Sequence, residues 1–213
     1  MYIQDVATEY PNCQLTGVDM CDVFPTSIRP VNVVFELGNP LEKLPFPDNT
    51  FDFIHIRLFI LALRKHEWPI VFQELYRVLK PGGCLESMEC DQMVLGNEIF
   101  NWAGTKIFEM MVELDQDPYI VKNIPDILQS KNFQVVDVQK KAAVIGGNQP
   151  LGKEFMWDVV NIYKSLKHIL APKLKINDDQ TFNSFLTKLQ MECNQSPKET
   201  TWIFTKFLAR KPL

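Results

Sequence analysis

The residues able to do chemistry fall at a few places along the chain. Asp19 closes the run Gln14-Leu15-Thr16-Gly17-Val18-Asp19, which reads as a strand and sets a carboxylate at the C-terminal edge, where open α/β sheets bind ligands. A carboxylate there can accept both hydroxyls of a ribose, although an acid after a strand is also an ordinary turn residue. His55 and Arg57 stand near the end of a second, nearly apolar run, 51–56, and Glu89 and Asp91 close or follow a third, 84–89. An imidazole or carboxylate at such an edge can take a proton that lies within about 2.6–3.2 Å, and a guanidinium can clamp a carboxylate with two parallel hydrogen bonds. Plainer readings stand beside these. His55 alternates with apolar neighbours as a hydrogen-bonded core or rim histidine does, Arg57 can pair with an acid such as Glu89, and Glu86 or Glu89 can belong to the solvated side of a strand.

The elements that must position these residues follow from periodicity. Between residues 14 and 90 short β-branched or aromatic runs alternate with helical or turn-rich segments, the pattern of an α/β sheet with parallel strands. A weaker strand is expected over 31–36. Residues 66–80 place Ile70, Phe72, Leu75, Val78 and Leu79 near helical spacing, and Pro81-Gly82-Gly83 should end that helix. A strand–helix–strand unit of this kind makes a right-handed crossover with parallel strands. Beyond residue 91 the spacing predicts helices over 98–132, a strand over 133–138 that 142–147 continues after a bend, helices over 151–170 and 178–193, and a last strand over 200–209. No repeat or linker interrupts the chain, so a single domain over 1–213 is expected.

Composition excludes several classes. The chain has 213 residues, 46% hydrophobic and 23% charged, enough apolar material for a core and unlike disordered, fibrous or disulfide-scaffold sequences. Its net charge of −4 argues against nucleic acid or an anionic membrane as the main partner and for a small molecule. Five cysteines (Cys13, Cys21, Cys84, Cys90, Cys193) without a C-x-x-C pair give neither a disulfide framework nor a metal site. Reduced thiols fit a cytoplasmic or nuclear location. There is no signal-like N-terminus, and the most apolar window, 51–63, carries Asp52, His55 and Arg57, well short of the roughly 18 clean residues of a spanning helix.

Three segments taken together resemble the class I S-adenosylmethionine-dependent methyltransferases. They are Gly17-Val18-Asp19-Met20, the stretch Leu37-Gly38-Asn39-Pro40-Leu41-Glu42-Lys43-Leu44-Pro45-Phe46-Pro47-Asp48-Asn49-Thr50-Phe51-Asp52, and Arg77-Val78-Leu79-Lys80-Pro81-Gly82-Gly83. The resemblance implies a Rossmann-like α/β/α sandwich, its sheet mostly parallel with an antiparallel C-terminal strand pair. It also implies that S-adenosyl-L-methionine is the cofactor, with Asp19 on its ribose, Met20 on its adenine and Asn39, with Pro40 beside it, at the adenine amino edge. Methyl transfer from an activated sulfonium is an in-line displacement in which the protein chiefly positions the acceptor. His55, Arg57, Glu89 and Asp91 are therefore weak candidates for acid–base or carboxylate-binding roles. Regions 91–132 and 147–200 are expected to shape the pocket for a small-molecule or protein acceptor. Met110, Met111 and the aromatic residues Phe100, Trp102, Phe108, Phe155 and Trp157 could line that pocket, with ordinary core packing as the plainer reading.

The sequence departs from the family's pattern in one place. A first strand and Gly-rich turn should precede the strand-end acid by roughly 20 residues, yet no glycine occurs before Gly17, and residues 3–11 resemble the second half of the helix that follows that turn. The expectation is a truncated or alternative form of a longer enzyme. Its first central strand is missing, so that the strand at 14–19 either closes onto the one at 51–56 or leaves a gap with exposed edges open to self-association. The competing expectation is a catalytically inactive, methyltransferase-like interaction or regulatory protein. A nicotinamide-dependent dehydrogenase would share Asp19 but gives no role to the Leu44-Pro45-Phe46-Pro47-Asp48 stretch.

Overall fold

A computed structural model of the chain describes residues 2–25, 29–195 and 200–213. Helix α1 (Tyr2–Glu9) leads into strands β1 (Leu15–Asp19), β2 (Val33–Leu37) and β3 (Phe51–Arg57), then helix α2 (Trp68–Val78) and the long strand β4 (Leu79–Leu95). Helices α3 (Glu98–Glu113) and α4 (Ile124–Ser130), strand β5 (Gln134–Val144), helices α5 (Pro150–Ser165), α6 (Lys167–Lys173) and α7 (Asp179–Gln195) and strand β6 (Thr201–Arg210) complete it. The expected strands and the α/β class are present, with helices packed on a sheet that has both parallel and antiparallel neighbours.

The sheet is in two parts. β1 pairs in parallel with β2, from Leu15 beside Val33 to Asp19 beside Leu37. A separate four-stranded sheet runs in the order β3-β4-β6-β5, with β3 parallel to β4 and β6 antiparallel to both of its neighbours. Among the described residues no ladder joins β1 to β3, so of the two outcomes left open by the sequence, the gap persists.

Local chemistry explains where the elements start and stop. In α2 the spacing of Trp68, Val71, Phe72, Leu75 and Val78, all buried, makes one apolar stripe against the sheet. The helix ends two residues before the expected stop, because Leu79 already pairs with Phe51 and β4 runs through the Pro-Gly-Gly segment. A Cβ on Gly83 would lie 2.9 Å from the Asp52 carbonyl oxygen, so the irregular pairing there needs a bare backbone. Ile70, expected on the apolar face, stays largely exposed. The segment expected as one helix over 151–170 breaks at Leu166 into α5 and α6, whereas β5 runs unbroken to Val144, with its irregularity at Val136. One apolar core runs from Leu44 to Ala209, built on α2, α3, α7 and the buried faces of β4 and β6. Met110, Met111 and Phe100 belong to that core, while Trp102 and Trp157 are exposed.

Candidate functional site

The C-terminal ends of β1 and β2 bring the first group of candidate residues together. The Gly38 amide donates to the Asp19 carbonyl at 2.9 Å, which extends the β1–β2 ladder by one step and sets Asn39 and Pro40 beside Asp19 and Met20. The fit at Gly38 is close, since an added Cβ would stand 3.0 Å from both the Val18 and the Leu44 side chains and would force them to shift. Asp19 Oδ1 accepts the Cys21 amide at 2.9 Å, an Asx turn that fixes the carboxylate, while Oδ2 carries no hydrogen bond among the described residues. Met20 projects outward, 68% exposed. Asn39 Oδ1 accepts the Leu41 amide at 3.1 Å and its amide nitrogen reaches Glu42 at 3.5 Å. The edge thus offers a fixed carboxylate, an apolar side chain and a side-chain amide in the order that a ribose and an adenine require. The match stops at that half: no glycine occurs before Gly17, and among the described residues none forms a glycine loop beside α1.

The two motif segments at 44–52 and 77–83 prove to be one unit joined by Arg77. Its guanidinium donates to the carbonyls of Phe46 at 2.9 Å and Leu44 at 3.2 Å, to Asp48 at 2.8 Å and to both oxygens of Glu74, and Glu74 in turn accepts the Leu44 amide at 2.7 Å. Burial alone would raise the Glu74 carboxyl, but Arg77 and the Leu44 amide outweigh it and hold it below the ordinary value. The loop from β2 to β3, which carries Asn39, is anchored to α2 in this way. Sequence reasoning missed this role, although an arginine and a glutamate three residues apart on a helix that packs against a proline-rich loop were the signal.

The second group of candidates lies along β3 and β4 but does not converge. His55 Nδ1 is 3.1 Å from Glu86, which also holds Lys206 at 3.2 Å on β6. Burial depresses the imidazole pKa more than Glu86 raises it, and Nε2 is sealed from solvent. Arg57 lies within electrostatic reach of His55 and of Asp158 on α5. Asp91 is held by Lys140 at 2.5 Å and by the Thr205 hydroxyl at 3.3 Å. Glu89 is fully buried, with one oxygen accepting the Phe59 amide at 3.0 Å and the other the Ile60 amide at 3.1 Å. The burial pushes its pKa up to about 7 against the pull of those amides. The sequence placed Glu86 only as a residue on the solvated side of a strand, and its pairing with His55 and with Lys206 was not read, because partners across a sheet leave no spacing signal.

Between α3, α5 and β6, Phe100, Ile107, Tyr163 and Trp202 enclose a cavity of about 10 Å³, the room of a single water rather than of an acceptor. Among the described residues no group of three or more His, Cys, Asp or Glu could hold a metal ion, and no helix is long and apolar enough to cross a membrane.

Comparison with known proteins bears on the same features. Residues 1–83 match the family model described as a methyltransferase domain. A methyltransferase of Strobilurus tenacellus is 28% identical over 140 residues, 63% of this chain and 50% of its own length. A secondary metabolism regulator of Coprinopsis cinerea is 30% identical over 90 residues, 42% of this chain and 22% of its own length. The matched stretches thus span half or less of these relatives. Among solved structures, phosphoethanolamine N-methyltransferase 2 of Haemonchus contortus, in complex with S-adenosyl-L-methionine, superposes with a TM-score of 0.55 at 18% identity, over 98% of this chain and 45% of that one. That likeness is one of fold. Residues 1–83 thus match a methyltransferase domain, and the chain as a whole shares a Rossmann-like fold with that structure.

Proposed function

We propose that the chain binds S-adenosylmethionine through the β1–β2 edge and serves methyl transfer to a small-molecule or protein acceptor. The observation that carries the reading is the juxtaposition of Asp19, Met20 and Asn39 through the Gly38–Asp19 hydrogen bond. The bound cofactor would supply a sulfonium methyl already activated for displacement. Asp19 Oδ2 is available to accept a ribose hydroxyl, and the Asx turn on Oδ1 keeps the carboxylate from rotating. Met20 offers an apolar face to adenine, and Asn39 Oδ1 has a second lone pair with which to accept from an amino group. The candidate side chains of β3 and β4 are engaged by separate partners rather than turned together on one point, which fits a reaction governed by positioning.

A second reading, an inactive methyltransferase-like regulatory protein, is favoured by the regulator name of the Coprinopsis relative and by the unjoined sheet. Isothermal titration with S-adenosylhomocysteine and S-adenosylmethionine separates the two. Micromolar binding that Asp19→Asn weakens supports the first reading. A folded chain that binds neither nucleoside overturns it and supports the second.

A further inference from the structure

The turn after β3 carries the inference. Leu58 leaves the strand with φ 59° and ψ 44°, a left-handed conformation that a branched side chain avoids, and its side chain is about half exposed. Its amide donates to the Met88 carbonyl at 2.9 Å, and the next two amides, Phe59 and Ile60, are the pair that converge on the buried Glu89 carboxylate. The far side of the turn is held as well, where Gln116 Nε2 donates to the Leu61 carbonyl at 2.7 Å and the Lys65 amide to the Asp115 carbonyl at 2.8 Å. A carboxylate with no exposure, on a strand whose backbone groups are already paired to β6, contributes nothing to the sheet by ending on two loop amides. What it fixes is the backbone of the turn, and the turn lies at the C-terminal end of β3, the edge where ligands of open α/β sheets lie.

We infer that Glu89 is a positioning residue that holds the 58–61 turn in a strained, ligand-ready form, so that Leu58 is presented as an apolar wall of the acceptor end of the site. The inference rests on the methyltransferase reading for the identity of the ligand, but not for the geometry. It assigns to Glu89 a part that direct proton transfer does not allow, since both oxygens are occupied and sealed from solvent. It also narrows the acceptor class, because a half-exposed leucine side chain suits an apolar or aromatic group next to the atom that receives the methyl.

The test compares wild type with Glu89→Gln and Glu89→Asp, using amide hydrogen exchange and titration with S-adenosylhomocysteine. In Glu89→Gln one carboxylate oxygen becomes a donor that opposes a donor, so exchange at the Phe59 and Ile60 amides should accelerate at least tenfold while Leu85 and Ser87 on β4 keep their protection. S-adenosylhomocysteine affinity should fall at least threefold with the melting transition still cooperative. Glu89→Asp, which keeps both acceptors, should recover part of each. A folded Glu89→Gln variant with unchanged protection at Phe59 and Ile60, or with unchanged affinity, overturns the inference. A wild-type chain that does not bind the nucleoside overturns the functional reading instead, and the exchange data then still decide whether Glu89 holds the turn.

Discussion

The two parts of the sheet are stabilised very differently. From Leu44 onward the elements share one apolar core, whereas among the described residues α1, β1 and β2 contribute only Ala7 and Val33 as buried apolar side chains, neither of them part of that core. The same short unit leaves Val18, Met20, Val31, Val34 and Leu37 exposed. What it has in place of a core is polar. Asn32, itself buried, donates through its side-chain amide to the carbonyls of Ala7, Tyr10 and Cys13 and closes the end of α1. The residues proposed to meet adenosine therefore sit on the part without a shared apolar core, and the turn proposed to face the acceptor sits on the part that has one. Local opening free energies vary across a structure in this way, and ligand-binding elements are drawn from the weak end.

Four measurements would break or sharpen that contrast. The largest effect is expected from Phe72→Ala, which removes a fully buried ring from α2. It should destabilise the four-stranded sheet by about 3–5 kcal/mol in chemical denaturation, and a loss near zero would mean that the core is not shared. Next comes the pH response of Glu89. Its folded pKa of about 7 lies above the ordinary carboxylate value, so its contribution is complete at acid pH below the unfolded value and is lost as the pH rises through 7. Between pH 4.5 and 8 the stability of wild type relative to Glu89→Gln should fall by on the order of 3 kcal/mol. A flat difference would show that burial does not dominate at that carboxylate.

Third, Asn32→Leu leaves three backbone carbonyls without their donor, a loss of about 1–3 kcal/mol. Amide exchange should rise across residues 2–37 and stay unchanged in β4 and β6. Uniform acceleration over the whole chain would mean that the two parts unfold together. The smallest effect on stability is expected from Asp19→Asn, within about 0.5 kcal/mol as for other exposed sites. Its S-adenosylhomocysteine affinity should nevertheless fall about tenfold, equivalent to about 1.4 kcal/mol. An unchanged affinity would remove the ribose from Asp19.

What could be read from the sequence followed the range of the interactions involved. Strands with a clear apolar pattern, such as the one read over 51–56, and the amphipathic α2 were legible because their signal is local. The β1–β2 edge was legible through the Asp19 and Gly38-Asn39 segments, whose side chains act on their own neighbourhood. The break at Leu166, the run of β4 through Pro81-Gly82-Gly83 and the engagement of Glu89 with Phe59 and Ile60 were not legible, since each depends on a partner about 30 residues away or on packing against another element. Arg57 shows the same limit. One acid within its electrostatic reach is Asp158, a hundred residues along the chain, while the oxygens of the nearer Glu89 accept the Phe59 and Ile60 amides.

The strand order β3-β4-β6-β5 also has a consequence for how the chain comes together during synthesis. β6 follows the other five strands in chain order and takes an interior place, with β4 on one side and β5 on the other. Until residue 210 has left the ribosome, β4 has one bare edge and β5 has no neighbour at all, while α3 through α7 are already available to collapse. Long-range pairing of this kind is slow and exposes partly formed sheets to misassembly. Yield of soluble protein should therefore respond more to chaperones acting once β6 has emerged than to the rate of translation through residues 1–100.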